Sequence, residues 1–253
     1  PDVYQTTDPG VFSELNKLGL IRLAEVPNRY FVSPWLTGSG ASWVAPYIVT
    51  AVMAYRTDKG PKDKPLRWQN LRDIRFRRRL IVPDPSLGGP AFYWAASLAR
   101  LYGWRYIEAI GKNAVLVSYE EATTRLLEKN AILSGGLSGE DVWRAERDNL
   151  PVVPIIPEEG ILAIPAGAAL LNDSSHPNAG LLFLNYLLSV NAQRIFVEDG
   201  FYAARTDMGP PTGRVPLNRL RLLQISWEKT ALLSGELQKR LGHLPRTTSR
   251  PTA

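Results

Sequence analysis

The sequence predicts an α/β fold in which helices flank a parallel or mixed β-sheet. Short apolar segments rich in β-branched residues alternate with segments of helical spacing along the 253 residues. The chain is 45% hydrophobic and 21% charged, as folded globular proteins are. No apolar run approaches the roughly 20 residues that a membrane-spanning helix needs. Strands that alternate with helices favour a sheet covered by helices on both faces.

The first part of the chain predicts two strands separated by a helix and a loop. In order, the signals indicate a strand over residues 2–5, a helix over 11–18, a loop over 27–42 and a strand over 43–55. Val11, Leu15 and Leu18 recur at helical spacing, and Gly19 ends that helix. The last of these segments is strongly apolar, which is typical of a strand buried on both faces.

A run of charge, glycine and proline over residues 59–65 predicts a boundary between two lobes. Beyond it the signals indicate, in order, a strand over 80–82, a tight loop over 83–89, helices over 90–102, 104–110 and 119–128, and strands over 131–133 and 152–156. Gly103 separates the first two of these helices. A strand or strand pair follows over 161–171.

The last part of the chain predicts helices. They cover residues 177–188, 190–198 and, after a proline-rich stretch, 222–241. Pro177 stands at the favoured first helical position, and Gly200 ends the second helix. A tail rich in Pro, Thr and Ser, which we expect to fray, closes the chain.

The residues that carry catalysis are scarce. The chain has no cysteine and two histidines, His176 and His243, neither of which has a metal-ligand partner at suitable spacing. No nucleophile elbow or phosphate-binding P-loop occurs. Glu158 and Glu159 are adjacent, and adjacent side chains point to different sides, so a turn is expected there. The sequence therefore predicts no enzyme, no cofactor and no metal site.

The net charge of +6 favours acidic ligands or anionic surfaces in general. Arg77, Arg78 and Arg79 form the densest basic run and lead straight into an apolar strand. That placement favours a solvated approach to the strand, and we expect no nucleic-acid partner. DNA binding through this run remains an alternative, which predicts salt-dependent affinity.

Small polar residues follow three predicted strands, where ligands of open α/β sheets bind. Glycine backbones and the free amides of a helix start can hold an anion. Trp43 and Tyr202, with Tyr47, could wall such a pocket, whereas Trp68, Trp104 and Trp227 are expected to pack. The predicted ligand contacts are Thr6, Thr7, Trp43, Ser86, Gly88, Gly89, Ser134, Gly135, Gly136 and Tyr202.

Several segments resemble, in order and spacing, the type II periplasmic solute-binding proteins of ABC importers, in the extracellular family 1 branch that includes Fe(III)-binding members. They are Pro157-Glu158-Glu159-Gly160, His176-Pro177-Asn178, Leu187-Leu188-Ser189 and Asp199-Gly200-Phe201-Tyr202. The resemblance implies two lobes, each a mixed sheet flanked by helices. Residues 1–55 and 162–253 would form lobe 1 and residues 56–161 lobe 2, with hinges near 52–57 and 155–164.

Two departures from the family pattern shape the expected ligand. Family members begin with a strand, a helix and a further strand before the segment like Asp2-Val3, so the first lobe is expected to be incomplete. Fe(III)-binding members carry a tyrosine pair after the strand equivalent to residues 131–133, where this chain has Ser134-Gly135-Gly136. A small polar or anionic solute is therefore expected, with ferric ion on atypical ligands as an alternative.

The resemblance also implies a cellular role. It implies a periplasmic monomer that delivers its solute to the membrane permease of an ABC importer, with its signal peptide outside this sequence. A metabolite-sensing regulatory or effector domain of the same fold remains an alternative, because a fold alone does not fix function.

Overall fold

The computed structural model of the protein describes residues 1–60, 63–128 and 130–242. Two earlier expectations, for His243 and for the terminal tail, lie outside the described residues, as does part of the 59–65 boundary. The strands are β1 (Val3–Thr6), β2 (Val44–Arg56), β3 (Leu80–Pro83), β4 (Ala114–Val117), β5 (Leu133–Ser138), β6 (Val152–Ile155), β7 (Leu162–Leu170) and β8 (Tyr202–Ala203).

The helices alternate with these strands, as the α/β prediction requires. They are α1 (Val11–Lys17), α2 (Gly89–Tyr102), α3 (Trp104–Asn113), α4 (Ala122–Leu126), α5 (Gly139–Arg147), α6 (Pro177–Leu187), α7 (Val190–Glu198), α8 (Trp227–Ala231) and α9 (Ser234–Leu241). Short 3-10 turns fill much of the predicted loop 27–42. His176 caps the start of α6, the helix-start role expected of it.

The chain divides into two compact units. The first contains Pro1–Val49, Ala163–Leu220 and Ser226–Ala231; among the described residues, the second contains Thr50–Leu162, Arg221–Ile225 and 232–242. The last helix, α9, thus belongs to the second unit, whereas the sequence places all of 162–253 in lobe 1. Arg240 of α9 explains this position, because it pairs with Glu108 of α3 and lies over the Trp104 ring.

In the first unit, β1 pairs antiparallel with β7, so that Thr6 lies opposite Gly167. β8 pairs antiparallel with the first half of β2, with Tyr202 opposite Ile48. Phe12 of α1 is fully buried beside Gly167, where any side chain would overlap its ring. Helix α1 is thereby packed directly on strand β7.

In the second unit, β3 lies between β4 and β5 and is parallel to both. β5 and β6 each pair antiparallel with the second half of β2. Helix α2 packs on β5, and α3 packs on α2. Trp68 and Trp94 are buried in this unit with their rings edge to face, 5.7 Å apart. The carboxyl ends of three parallel strands therefore share one edge of this sheet.

Several elements differ from the sequence prediction. Strand β4 is missed, because its four residues follow α3 without a glycine or proline break. The predicted helix 119–128 is shorter, with a turn at Tyr119–Glu121 before α4. The predicted helix 222–241 is two helices, α8 and α9, preceded by an extended segment in which Leu222 forms an isolated bridge to Ile161.

Within the described residues, no single helix is long and apolar enough to cross a bilayer. The bent pair α6 and α7, with 57° between its axes, satisfies that length and composition test only when the two helices are taken together.

Candidate functional site

The shared carboxyl edge of β3, β4 and β5 is the candidate functional site of the second unit. Ligands of open α/β sheets bind outside the carboxyl ends of the strands. Asp84 follows β3, Ser118 follows β4, and Ser138 ends β5. The ends of β3 and β4 are held together, because the N–H of Asp84 donates to the carbonyl of Val117 at 2.8 Å.

The loop after β3 presents a helix start to solvent. Asp84 is buried, and its carboxylate accepts from the Ser86 N–H at 2.9 Å and the Ser86 hydroxyl at 2.6 Å. Gly88 and Gly89 then adopt φ of 88° and 60°, the left-handed region that favours glycine. A Cβ on either would meet no atom within 4 Å. The two predicted glycines thus leave open space before α2.

Ser134, Gly135 and Gly136 are buried inside strand β5, so their prediction as a loop is wrong. The Ser134 hydroxyl donates to the Ile81 carbonyl at 2.6 Å and thereby ties β5 to β3. A Cβ on Gly136 would lie 2.6 Å from Trp94 Cδ2. Gly136 is needed because the Trp94 ring packs against it, and Gly135 because Leu71 Cδ1 would lie 2.5 Å from a Cβ there, not because a loop forms.

The strand end falls at Ser138, where helix α5 begins. The Ser138 hydroxyl caps α5 by accepting the Asp141 N–H at 3.2 Å, and it donates to Glu140 Oε2 at 2.9 Å. Glu140 Oε1 accepts the Thr50 N–H at 3.0 Å and the Thr50 hydroxyl at 3.1 Å. Burial raises the pKa of Glu140 to about 7. This edge therefore contains a carboxyl group that is about half protonated at neutral pH.

Tyr119 places a phenol hydroxyl beside the same group. Burial raises the pKa of Tyr119 well above its ordinary value, and the carboxylates of Glu140, Asp141 and Glu120 raise it further. A contact with the Ser138 side chain acts in the opposite direction and lowers the pKa. The hydroxyl is buried within this part of the chain.

The predicted contacts of the first unit lie around Phe12. The ring of Trp43 stacks on Phe12 with centroids 5.4 Å apart, and Trp43 stays partly exposed. Thr6 ends β1, and its hydroxyl accepts the Asp8 N–H at 3.1 Å. Thr7 follows it and is partly exposed. Of these three residues, Trp43 packs against the cluster of Phe12, Ile21 and Ala169.

Tyr202 is a buried packing residue. It is 3% exposed, and its hydroxyl donates to the Val215 carbonyl at 2.8 Å. Tyr47 packs its ring between Phe196 and Phe201, with centroids 4.8 and 4.6 Å away. The structure therefore gives Tyr202 a structural hydrogen bond in place of an open hydroxyl.

Glu158 and Glu159 form the expected turn, closed by the Gly160 N–H on the Pro157 carbonyl at 2.9 Å. Glu159 accepts from the Tyr102 hydroxyl and from the Trp68 N–H, and these bonds outweigh its burial and lower the pKa of Glu159. Among the described residues, no three His, Asp or Glu side chains group in a way that could hold a metal ion.

Sequence reasoning misses Thr50, Tyr119, Ser138 and Glu140. One signal was present: Ser138-x-x-Asp141 has the spacing of a helix-capping motif and marks where α5 begins. That motif would have moved the strand end from Leu133 to Ser138. Tyr119 carries no such local signal, because the residues near its side chain in the fold, such as Ser138, follow a different strand from its own.

Comparison with protein families gives one clear result. The family described as bacterial extracellular solute-binding protein matches residues 1–202. A search of curated protein sequences finds no match.

Solved structures with the same fold are numerous. Iron-bound HitA from Pseudomonas aeruginosa matches with a TM-score of 0.82 and 21% identity over 95% of this chain and 82% of that one. AfuA from Actinobacillus pleuropneumoniae, with fructose-6-phosphate bound, gives 0.80 and 21% over 95% and 80%. The ferric binding protein from Campylobacter jejuni gives 0.80 and 16% over 96% and 83%. These likenesses show the two-lobed periplasmic binding protein fold.

Proposed function

We propose, from the premise that the chain belongs to the family of bacterial extracellular solute-binding proteins, that it binds a small polar solute and delivers it to the permease of an ABC importer. The solute would contact the carboxyl edge of β3, β4 and β5 in the second unit. The protein would work in the periplasm as a monomer, and it would bind without catalysing a reaction.

One observation carries the proposal: helix α2 begins at this edge with an open approach. Gly88 and Gly89 leave the start of α2 uncovered, and the first-turn amides of a helix have no partner within it. Helix α5 begins at Ser138 on the same edge. Backbone amides and hydroxyls that point to one place are what a polar solute requires.

Solute capture in this fold involves movement of the lobes. We expect the hinges at residues 52–57 and 155–164, as the resemblance implies. A solute that contacts both lobes would stabilise the closed form and shift the population towards it. Small-angle scattering with and without the solute measures this, and a decrease in radius of gyration on binding is the expected result.

The sequence favours a small polar or anionic solute, because hydroxyls and amides follow the strands and helix starts attract negative charge. The proteins with the same fold include one that is iron-bound and one with fructose-6-phosphate bound, so the fold itself does not select the solute. We infer that the loops of the second unit determine which solute binds.

A thermal-shift screen tests the proposed binding. Purified protein is heated with phosphate, sulfate, carboxylates, sugars, sugar phosphates, amines and ferric citrate, and a bound solute raises the midpoint by mass action. The Gly88→Asp variant places a side chain in the open space before α2 and should abolish the shift.

The matched control is Gly19→Asp, because Gly19 has φ of 67° and a Cβ there also meets no atom within 4 Å. This control should keep the shift. A shift that both variants retain would place the solute elsewhere, and the absence of any shift across the screen would contradict solute binding.

A further inference from the structure

The turn that leads into β3 exposes three consecutive arginines. Arg77, Arg78 and Arg79 are all exposed, and Lys112, which precedes β4, is exposed as well. Because β3 and β4 are parallel neighbours, these four cations lie at the amino ends of the strands, opposite the end proposed for the solute. The second unit therefore has a basic surface that the proposed solute binding does not use.

Asn113 joins the two parts of this surface. Its carbonyl accepts the Arg78 N–H at 2.8 Å, and its side-chain amide donates to the Arg72 carbonyl at 2.8 Å, which brings a further exposed cation next to the others. The Arg79 carbonyl accepts the Ile132 N–H at 3.0 Å, so the turn is also tied to the approach to β5. We call the five cations together the basic edge: Arg72, Arg77, Arg78, Arg79 and Lys112.

Within the part of the chain that the structure describes, no carboxylate forms an ion pair with a member of the basic edge. Asp73, the carboxylate next to Arg72 in the sequence, pairs with Arg75 at 2.8 Å. Glu108 lies one helical turn before Lys112 on α3, and it pairs with Arg240 of α9 instead. Like charges held close together repel one another, so a partner of opposite charge would stabilise this surface.

Arg78 has a backbone conformation that usually belongs to glycine. Its φ is 58°, in the left-handed region, and the Arg79 N–H donates to the Phe76 carbonyl at 2.8 Å to close the turn. Turns with a left-handed second central residue normally have Gly or Asn there. Phe76 is 1% exposed and anchors the turn, while both central residues, Arg77 and Arg78, are exposed. A strained position that keeps an arginine indicates a use for its side chain.

The chemistry of the basic edge favours lipid phosphates as its partner. A guanidinium group binds phosphate oxygens with two parallel hydrogen bonds, and clusters of this size are typical of surfaces that bind anionic lipids. Ile74, three residues before Arg77, is 66% exposed, and an aliphatic side chain beside cations suits the boundary of a bilayer. Nucleic-acid strands instead favour exposed aromatic rings for stacking, and the one aromatic residue of segment 72–79, Phe76, is buried.

We propose that the basic edge is a docking surface for an anionic membrane, with the guanidinium groups of Arg77, Arg78 and Arg79 on lipid phosphates. The candidate solute site lies at the other end of the same strands and stays free. Contact with the membrane would hold the protein close to a permease and raise its local concentration there. That benefit, though not the contact itself, rests on the proposed solute-binding function.

Vesicle sedimentation tests the proposal. The protein is mixed with vesicles of equal parts phosphatidylglycerol and phosphatidylcholine, or of phosphatidylcholine alone, at low and at high salt. We expect binding to the anionic vesicles alone, and we expect it to weaken as salt screens the charges. In the triple variant Arg77→Gln, Arg78→Gly, Arg79→Gln the partition constant should fall about 100-fold, since each basic residue near an anionic surface contributes about 1 kcal/mol.

The matched control removes three exposed cations of the first unit: Lys17→Gln, Arg22→Gln, Arg194→Gln. Both triple variants lose the same charge from the net value of +6, so a general charge effect would weaken both alike. The control should keep most of the binding. Glycine at position 78 fits the left-handed backbone, so the melting temperature of the first triple variant should not fall.

The outcomes separate this inference from the proposed function. No sedimentation with anionic vesicles at low salt, or equal losses in the two triple variants, would overturn the docking surface. Tighter binding to a short DNA duplex than to vesicles at equal phosphate concentration would overturn the lipid assignment. The first triple variant should keep any solute-induced thermal shift, because its changes lie away from the solute site. A lost shift would contradict that separation, whereas a failed solute screen would leave vesicle binding in place.

Discussion

The Glu140 carboxyl group is buried in the second unit, where three donors from Thr50 and Ser138 hold it. Burial of a carboxylate in a protein interior is unfavourable unless hydrogen bonds compensate for the lost hydration. Here the compensation is partial, because the pKa of Glu140 is raised to about 7 in spite of these bonds. The residue therefore links proton binding to the stability of the candidate site.

We predict that Glu140 makes the protein less stable as the pH rises from about 4.5 to about 7, by about 3 kcal/mol. The folded state binds the proton more tightly than the unfolded state does, so the stabilisation is complete at low pH and lost through this window. Urea unfolding at pH 5 and pH 8 measures the slope. Glu140→Gln should flatten it, whereas Glu146→Gln, an exposed change on the same helix, should not. An unchanged slope in Glu140→Gln would contradict the assignment.

Gly136 permits a second prediction at the scale of a residue. Gly136 and Gly213 have nearly the same φ, 76° and 77°, but only Gly136 faces a ring, that of Trp94. Alanine at either position pays the cost of left-handed backbone, about 1 kcal/mol. Gly136→Ala should lose a further 1–3 kcal/mol or so from overpacking. Equal losses in the two variants, measured by chemical unfolding, would show that Trp94 does not press on β5.

At the scale of elements, one buried side chain joins four pieces of the first unit. Gln193 of α7 donates to the Pro46 carbonyl of β2 at 2.5 Å and to the Leu187 carbonyl of α6 at 2.8 Å. Its carbonyl oxygen accepts the N–H groups of Ala204 and Arg205, which follow β8, at 2.8 and 3.2 Å. Helices α6 and α7 are therefore fixed to the strands by a single amide.

Gln193→Ala should destabilise the protein by roughly 3 kcal/mol or more, because it leaves several buried backbone groups without partners. The control is Gln5→Ala, whose exposed amide makes only a long contact of 3.5 Å with the Tyr47 hydroxyl. That change should cost less than about 0.5 kcal/mol. Similar midpoints for the two variants in thermal unfolding would contradict the role assigned to Gln193.

Elements with long apolar runs or clear stop signals could be predicted from the sequence, as β2, α2 and α6 show. The end of β5 was predicted in the wrong place, because Gly135 and Gly136 suggest a loop in the local sequence. Glycine is required there by side chains that are distant in sequence, among them the Trp94 ring. It missed β4, which lacks a boundary signal. Of the candidate site, the start of α2 was predictable from Ser86, Gly88 and Gly89. Glu140 and Tyr119 were not, because their roles depend on contacts between strand ends.

At the scale of the whole molecule, the chain has the fold of the periplasmic binding proteins and belongs to a family of extracellular solute-binding proteins. Its identity to iron-bound HitA is 21%, so the likeness is one of fold. We propose that the chemistry of the solute follows from this chain's own edge residues. They combine the open start of α2 with carboxylates.

Hydrogen exchange of the protein with and without its best-binding solute tests this account most directly. The account predicts slower exchange at the amides of Gly88, Gly89 and Ala91, which begin α2, and of residues 138–141, which begin α5. Protection confined to other segments, or none at saturating solute, would contradict a binding site at the carboxyl edge of β3, β4 and β5.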